Sequence, residues 1–208
     1  MNPEDFLKKV LESIEFKVQK IQTKNTRTPD FLVTDNDGEK YLIELKTKYD
    51  DPVYLEERNE VLNRGEIFED HTPIKRGNRI SGIIKDAAKQ LSEFKDEKVD
   101  YRIVCLFAQG LHQDVQMELF ESSLYGIRQI VDFENKDGTR LCYFFDNSDF
   151  FNNKEVIDAA LLTTNQQAKL CVNPLSSSYP QITESLLYKL LGKGVCDPIV
   201  EEKKELAT

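Results

Sequence analysis

Long apolar runs are missing from this chain of 208 residues. No run approaches the roughly 18 residues that a helical membrane span needs, so we expect no membrane partner. The first residues, Met1 to Asp5, are acidic, and the apolar segment of a secretory signal peptide does not follow them. The predicted location is therefore the cytoplasm.

Histidine is scarce and the cysteines are scattered. The chain has two histidines and four cysteines, no C-x-x-C pair, and no histidine beside a cysteine, which argues against a zinc site. Cys105, Cys142 and Cys171 lie inside apolar runs, so we expect reduced, buried thiols. His71 and His112 each stand among loop-like residues and are predicted to be surface or loop histidines.

Positive charge is also in short supply. The chain has 28 lysines and arginines against 37 aspartates and glutamates, which gives a net charge of -9. Tight non-specific binding of nucleic acid usually requires a basic surface, so this balance counts mildly against it. It does not exclude a metal-dependent enzyme, because such an enzyme needs carboxylates and its basic surface can be local.

The spacing of apolar residues predicts an α/β chain, with a mixed (α+β) central β-sheet flanked by helices, in one domain over residues 1–208. Helices are predicted at residues 3–15, 55–63, 80–94, 114–125 and 181–191. Strands are predicted at residues 16–22, 31–33, 41–47, 101–107, 126–132, 139–145, 159–163 and 168–172. A charged insertion is predicted over 49–79 and a flexible C-terminal tail over 197–208.

One apolar strand, residues 41–47, carries a charged pair. Glu44 and Lys46 are two residues apart, so both side chains project from the same face of the strand. Such a pair is costly in an apolar strand unless it has a partner or a function. Asp30 and Glu44 are equidistant from Asp37 in the turn between the strands. A hairpin centred on Asp37 places Asp30 opposite Glu44, or one register step away.

Two carboxylates and one ammonium group would then converge on the sheet. Asp30 and Glu44 offer the hard oxygen ligands that suit Mg²⁺, with Mn²⁺ as a substitute, and Mg²⁺ takes its other ligands from water and phosphate. This arrangement fits phosphodiester hydrolysis, in which a metal ion polarises the phosphate and activates water. Lys46 would orient that water or neutralise charge that develops on the phosphate.

The [DE]-x-K spacing by itself is not specific. This charged chain contains it at Glu15, Glu44, Glu93, Asp96, Glu134, Glu201 and Glu202. The copy at Glu44 differs because it lies in an apolar strand and follows the single Pro-Asp pair, Pro29-Asp30, across a turn-rich segment. The alternative is a coincidental surface salt bridge.

These residues resemble the active-site motif of the PD-(D/E)xK superfamily, which includes restriction endonucleases and Holliday-junction resolvases. The superfamily core is a helix, three antiparallel strands, a helix and a further strand, and residues 3–107 follow this order. The resemblance implies a restriction endonuclease-like fold with Asp30 and Glu44 as metal ligands and Lys46 as the catalytic lysine. It leaves residues 108–208 unassigned.

Two further positions follow from the same resemblance. Many members carry a glutamate on the first helix, and counting back from the first strand favours Glu4 over Glu12 and Glu15. The alternative for Glu4 is a solvated residue favoured by the helix dipole. Gln90 begins a segment similar to the Q-x-x-x-Y motif of exonuclease-like members, with Phe94 in place of tyrosine. The alternative for Gln90 is a polar helix face.

The segment from residue 72 to residue 90 contains five basic residues and one acid, Asp86. In an acidic chain this local excess predicts a phosphate-contacting surface. The residues predicted to bind nucleic acid are Lys75, Arg76, Arg79, Lys85, Lys89 and Gln90. The alternative is a solvated loop and helix face.

The sequence therefore leaves three functions open. The first is a Mg²⁺-dependent DNA endonuclease of the restriction or defence type, which would act as a homodimer if it cuts both strands of a duplex. The second is a catalytically inactive member of the fold that binds nucleic acid or a protein. The third is a nuclease subunit of a larger assembly, in which a partner subunit supplies the basic DNA-binding track.

Overall fold

The computed structural model describes residues 2–22, 27–69, 75–131 and 139–200. Side chains are described throughout these ranges except at residues 129–131 and 139–141. His71, one of the two predicted loop histidines, lies outside the described residues. In the described ranges, no helix combines the length and the apolar character needed to cross a membrane.

Seven α-helices and nine β-strands can be assigned in the described residues. The helices are α1 (Pro3–Ser13), α2 (Pro52–Asn63), α3 (Asn78–Glu93), α4 (Gln113–Tyr125), α5 (Asp149–Asn152), α6 (Tyr179–Ile182) and α7 (Leu186–Leu191). The strands are β1 (Lys17–Lys20), β2 (Phe31–Thr34), β3 (Lys40–Tyr49), β4 (Tyr101–Gln109), β5 (Ile127–Val131), β6 (Thr139–Tyr143), β7 (Ala159–Thr163), β8 (Ala168–Val172) and β9 (Val195–Cys196).

The chain has the predicted α/β architecture, with a central mixed sheet between helices. Seven strands form this sheet in the order β1-β2-β3-β4-β7-β8-β9. Strands β1, β2 and β3 are antiparallel, whereas β3, β4 and β7 are parallel. Strand β8 is antiparallel to β7, and β9 is parallel to β8. Strands β5 and β6 form a separate antiparallel pair.

Helices cover both faces of the sheet, so alternate residues of each central strand enter different cores. On one face, Leu42 of β3 and Val104 of β4 pack with the apolar side chains of α3, α4 and α5. On the other face, Ile43 and Ile103 pack with α1, α6 and α7. Strand β4 is buried on both faces, as its nearly continuous apolar run predicted. The alternation in β3 assigns Glu44 and Lys46 to the α3 face.

The turn between β2 and β3 is held by the side chain of Asp35. Its Oδ1 atom accepts hydrogen bonds from the N–H groups of Asp37 (3.0 Å) and Glu39 (2.9 Å). Gly38 has φ of 86°, a left-handed conformation that glycine adopts at little cost. The strands then pair Phe31 with Ile43, which confirms the register predicted for a hairpin centred on Asp37.

Several predicted boundaries are wrong. The predicted insertion over 49–79 overlaps two regular elements, because β3 continues to Tyr49 and α3 begins at Asn78. Within it, α2 begins at Pro52 and has no buried residue. The predicted helix over 181–191 is two short helices, α6 and α7, because Ser185 caps a new helix by accepting from the Tyr188 N–H (3.3 Å).

The predicted start of the tail at residue 197 is also too early. Asp197 is buried and accepts hydrogen bonds from the hydroxyl groups of Tyr179 (2.9 Å) and Tyr188 (3.3 Å). Just before it, Cys196 of β9 lies opposite Cys171 of β8 in the register of the two strands, at the edge of the sheet. A strand of two residues has no periodicity to detect, which explains why the sequence did not predict β9.

Candidate active site

Asp30, just before β2, lies beside Glu44 of β3. Asp30 stands one residue outside the paired stretch, where its N–H donates to the Ile43 carbonyl (3.1 Å) and its carbonyl accepts from the Ile21 N–H (2.8 Å). Its side chain reaches β3, because Oδ2 accepts from the Leu45 N–H (2.7 Å). The Asp30 backbone and carboxylate are therefore fixed against both neighbouring strands, and the two carboxyl groups meet on the α3 side of the sheet.

Glu44 is almost entirely buried, with a relative exposure of 2%. Two donors reach the same oxygen, Oε1: Gln90 Nε2 at 2.6 Å and Lys46 Nζ at 2.6 Å. The other oxygen, Oε2, is buried and has no hydrogen-bond donor among the described residues. A buried carboxylate oxygen without a donor is expensive, so this atom is a natural position for a cation or a shared proton.

The electrostatics of the pair follow from burial. Burial raises the pKa of the Glu44 carboxyl to about 7, and the negative charge of Asp30 adds to the increase while Lys46 opposes it. Burial also raises the pKa of Asp30, an effect reduced by the Leu45 N–H and enlarged by the charge of Glu4. In metal-free protein the two carboxyl groups therefore resist being ionised together, and a divalent cation between them would remove that resistance.

Glu4 is the first-helix glutamate whose charge acts on the site. Asn2 caps α1 by accepting from the Glu4 N–H (3.0 Å), which places Glu4 in the first turn, and its charge acts on Asp30. Glu12 instead pairs with Lys8 at 3.7 Å on the exposed face of α1. Glu15 lies beyond the end of the helix with φ of 66°. Of the three glutamates, Glu4 is thus the one whose charge raises the pKa of Asp30.

Lys20 is a charged residue that the sequence reasoning did not single out. It ends β1, and its ammonium group forms an ion pair with Glu4 Oε2. The signal was present, because Phe16 and Val18 set an alternation that requires an apolar residue at position 20. A charge at the point where the pattern breaks is the place to look for a function.

Gln90 belongs to the site and not to an exposed surface. It is buried in α3 and donates to Glu44, so its side chain cannot reach nucleic acid as predicted unless that contact breaks. Gln90 lies on the buried face of α3, because Ala87 and Leu91 beside it are part of the core. Gln90 thereby holds the Glu44 carboxylate in one orientation.

The predicted basic surface is divided by the fold. Arg76 is turned inward, where it donates to Asn147 (3.0 Å) and Asp149 (2.9 Å), so it has a structural partner. Arg79 is exposed and pairs with Asp51 at 3.3 Å. The three lysines predicted with them are exposed; one of them, Lys89, lies 3.9 Å from Glu93. The exposed lysines are Lys75, Lys85 and Lys89.

The other predicted features have simple positions. His112 lies in the turn before α4, with its ring 4.9 Å from that of Tyr54. All four cysteines are free thiols. Cys105 and Cys171 are buried as predicted, whereas Cys142 is only partly buried.

The donor set suits a magnesium ion better than a soft metal. In the part of the chain that the structure describes, no three or more His, Cys, Asp or Glu side chains gather to hold a metal ion. Asp30 and Glu44 provide two carboxylates, which are sufficient for Mg²⁺ because it keeps several water ligands and binds substrate phosphate directly. The buried Glu44 Oε2, without a donor in the described residues, fits such an ion.

Comparisons of this chain with protein-family models, curated proteins and solved structures give no match.

Proposed function

We propose that this chain is a Mg²⁺-dependent nuclease of the PD-(D/E)xK type that hydrolyses phosphodiester bonds in DNA. The observation that carries the proposal is the Glu44 carboxylate: it is buried beside Asp30, and one of its oxygens has no donor among the described residues. The order α1-β1-β2-β3, then α3 and β4, supports the proposed restriction endonuclease-like core, with α2 as an addition. The buried free thiols support a cytoplasmic location.

Each residue has a defined part in the proposed reaction. Asp30 and Glu44 would hold the ion, which supplies charge stabilisation to the phosphate and lowers the pKa of water when bound. The water oxygen would attack the phosphorus atom and lose a proton to solvent, while the bond to the leaving alkoxide breaks and the alkoxide takes up a proton from solvent. Lys46 is 27% exposed at its side chain, so its ammonium group can reach the attacking water or the charged phosphate oxygens.

Gln90 acts one step away from the reaction. Its amide fixes Glu44 Oε1, which leaves Oε2 as the oxygen presented to the ion. Lys46 and Gln90 share Oε1, so movement of Lys46 toward substrate would not leave that oxygen without a donor. This arrangement lets the lysine exchange partners at low cost.

The test is cleavage of a panel of duplex, branched and single-stranded DNA and of RNA, with Mg²⁺ or Mn²⁺. We expect cleavage of DNA, and a rate about 10²–10³-fold lower for Lys46→Ala, because one charge-stabilising group is lost. Lys48→Ala is the matched control, since Lys48 lies on the same strand and face but donates to the Tyr49 carbonyl (2.8 Å). We expect Lys48→Ala to cleave at nearly the wild-type rate.

A subunit role is the second candidate, and the charges favour it. The net charge is -9, and Arg76 and Arg79 are already paired with carboxylates. A partner subunit would then supply the positive surface that DNA binding needs. If the isolated chain binds Mn²⁺ yet cleaves no substrate of the panel, this role is favoured. Cleavage of both strands of a duplex by the chain alone would instead favour a homodimer.

A further inference from the structure

A cavity of about 310 Å³ lies between the end of α3 and the segment that leads into β2. Residues 27–29 form one of its walls, and residues 93–96 form the other. The first wall leads directly into Asp30, where the chain bends. The second wall begins one helical turn beyond Gln90, whose side chain donates to Glu44 at 2.6 Å. Both walls are continuations of segments that carry the candidate site, so the cavity lies next to it.

The side chains at this cavity combine positive charge with unused hydrogen-bonding groups. Arg27 and Lys95 are exposed, and neither has an ion pair or a side-chain hydrogen bond among the described residues. The hydroxyl oxygen of Thr28 is buried and has no hydrogen-bond partner among the described residues. A buried hydroxyl without a partner is costly, so a ligand that hydrogen-bonds to it would remove that cost.

The charges of the cavity favour a ligand that is only partly anionic. Glu93 and Asp96 line it together with the two cations, so its formal charges cancel. A bare anion would gain little from such a set. A nucleotide fits it better, because its phosphate suits the arginine and the lysine, while carboxylates and hydroxyl groups bond to the edges of bases.

The size and the apolar part of the cavity also suit one nucleotide. Its volume is at the lower end of the range for ligand pockets, which excludes a base pair with both of its backbones. Phe94 lines it and is only partly buried, so an aromatic surface is present on which a base could stack. A strand whose scissile phosphate lies at Asp30 has its neighbouring nucleotide beside this wall.

We propose that the cavity holds one unpaired nucleotide of the DNA strand, next to the bond that is cut. This inference rests on the proposed function, because it takes the scissile phosphate to lie at Asp30 and Glu44. Arg27 and Lys95 contact the phosphate of that nucleotide, and Thr28 bonds to its base. A base held in this way has left the duplex, so the enzyme prefers DNA with unpaired nucleotides, such as single strands, frayed ends and branch points.

The test measures the binding of a labelled single strand and of a blunt duplex of equal length by fluorescence anisotropy. Ca²⁺ replaces Mg²⁺, because it also binds oxygen ligands and neutralises the carboxylates, and a gel checks that the DNA stays intact. Thr28→Val removes the hydroxyl and keeps the shape of the side chain. Lys95→Gln removes one cation. Lys193→Gln is the matched control, because Lys193 is an exposed lysine next to β9, at the far edge of the sheet.

We expect the wild type to bind the single strand about tenfold more tightly than the duplex, because the duplex must first release a base. Thr28→Val should weaken single-strand binding about fivefold and leave duplex binding unchanged. Lys95→Gln should weaken it by a similar factor and lower the slope of log K against log salt by about 0.7. Lys193→Gln should bind like the wild type.

Three results would overturn the inference while leaving the proposed nuclease site standing. They are a wild type that binds the duplex as well as the single strand, folded Thr28→Val and Lys95→Gln variants that bind the single strand like the wild type, and displacement of the oligonucleotide by inorganic phosphate at equal concentration. The last would show a simple anion site. If the wild type binds neither DNA, the proposed action on DNA fails, and this inference fails with it.

Discussion

Two carboxylates in this molecule are equally buried but differently partnered. Glu44 and Asp149 each have a relative exposure of 2%. Each oxygen of Asp149 has its own donor: Arg76 Nη2 at 2.9 Å on Oδ1 and Ser81 Oγ at 2.8 Å on Oδ2. Glu44 receives both of its donors on Oε1 and none from the described residues on Oε2. The uneven distribution of donors, and not burial, separates the candidate site from a structural contact.

Asp158 extends the comparison to a third position. It too is buried, and it accepts from Ser176 Oγ (2.5 Å) on Oδ1 and from the Arg102 N–H (2.8 Å) on Oδ2. Its donors join the loop after β8 to the start of β4. Asp149 likewise joins α5 to α3 and to the segment before it. At both positions the carboxylate connects elements and both of its oxygens accept hydrogen bonds.

The largest expected effect on stability comes from Glu44→Gln. The folded pKa of Glu44 is about 7 against an ordinary value of 4.5, so below pH 4.5 the group is neutral in both states and above pH 7 its ionisation opposes folding. The cost at pH 8 is about 3 kcal/mol, since one pKa unit corresponds to about 1.4 kcal/mol. Gln removes this cost, so we expect the metal-free variant to be more stable at pH 8 and unchanged at pH 4.5.

Urea denaturation with a chelator present measures this difference. The gain should disappear progressively between pH 7 and pH 4.5, because Glu44 is protonated in the folded wild type over this range and the unfolded wild type takes up the same proton as the pH approaches 4.5. Equal stability of the two proteins at pH 8 would show that ionisation of the buried Glu44 does not destabilise the folded state, contrary to the expectation from its Oε2 atom, which has no donor among the described residues.

A slightly smaller effect is expected from the metal ion. A ligand at one hundred times its Kd stabilises the folded state by about 2.7 kcal/mol, so Mn²⁺ should raise Tm at pH 8. The increase should shrink as pH falls below 7, because protons compete for Glu44 and Asp30. Differential scanning fluorimetry at pH 8 and pH 5.5 measures it, with Glu44→Gln as the variant that should not respond. A Tm increase that is the same at both pH values would place the ion elsewhere.

The smallest effect is expected from Asp149→Asn, with the opposite sign to Glu44→Gln. The amide keeps the shape of the side chain but loses the charge that faces Arg76, whose side chain is 28% exposed. Because the pair is partly solvated, we expect a loss of about 1–2 kcal/mol at every pH from 5 to 8. Glu66→Gln is the control, since its pair with Arg64 is more than half exposed and should contribute almost nothing. A stabilised Asp149→Asn variant would remove the contrast with Glu44.

The sequence predicted the part of the site that depends on the spacing of residues within one hairpin. The distance of Asp30 and Glu44 from Asp37 fixed their register, and the spacing of Glu44 and Lys46 fixed their common face, because hairpins and strands follow short-range rules. The predicted α/β architecture was correct for the same reason. Whether the hairpin holds a metal ion is not a matter of pattern and stays a prediction.

The rest depends on contacts between distant segments. Gln90 lies 46 residues from Glu44, and nothing in the local pattern of α3 distinguishes it from the exposed Lys89 as a surface residue. Arg76 was predicted to face nucleic acid because it lies in a basic segment, and its partner Asp149, 73 residues away, could not be identified from that segment. The partners of buried polar side chains are set by how the helices pack against the sheet. Sequence spacing therefore identified the candidate residues but not their partners.

The turn at Asp35 makes the site vulnerable to a change in chain length. Strand β3 is held to β4 by nine residue pairs, whereas β2 has four with each neighbour, so a one-residue change of register would displace β2 and leave β3 in place. Pro29 or Phe31 would then stand where Asp30 belongs. An insertion in the turn that shifted this register would thus disrupt the site while every one of its residues remained in the gene, and a search for the motif alone would not detect the loss.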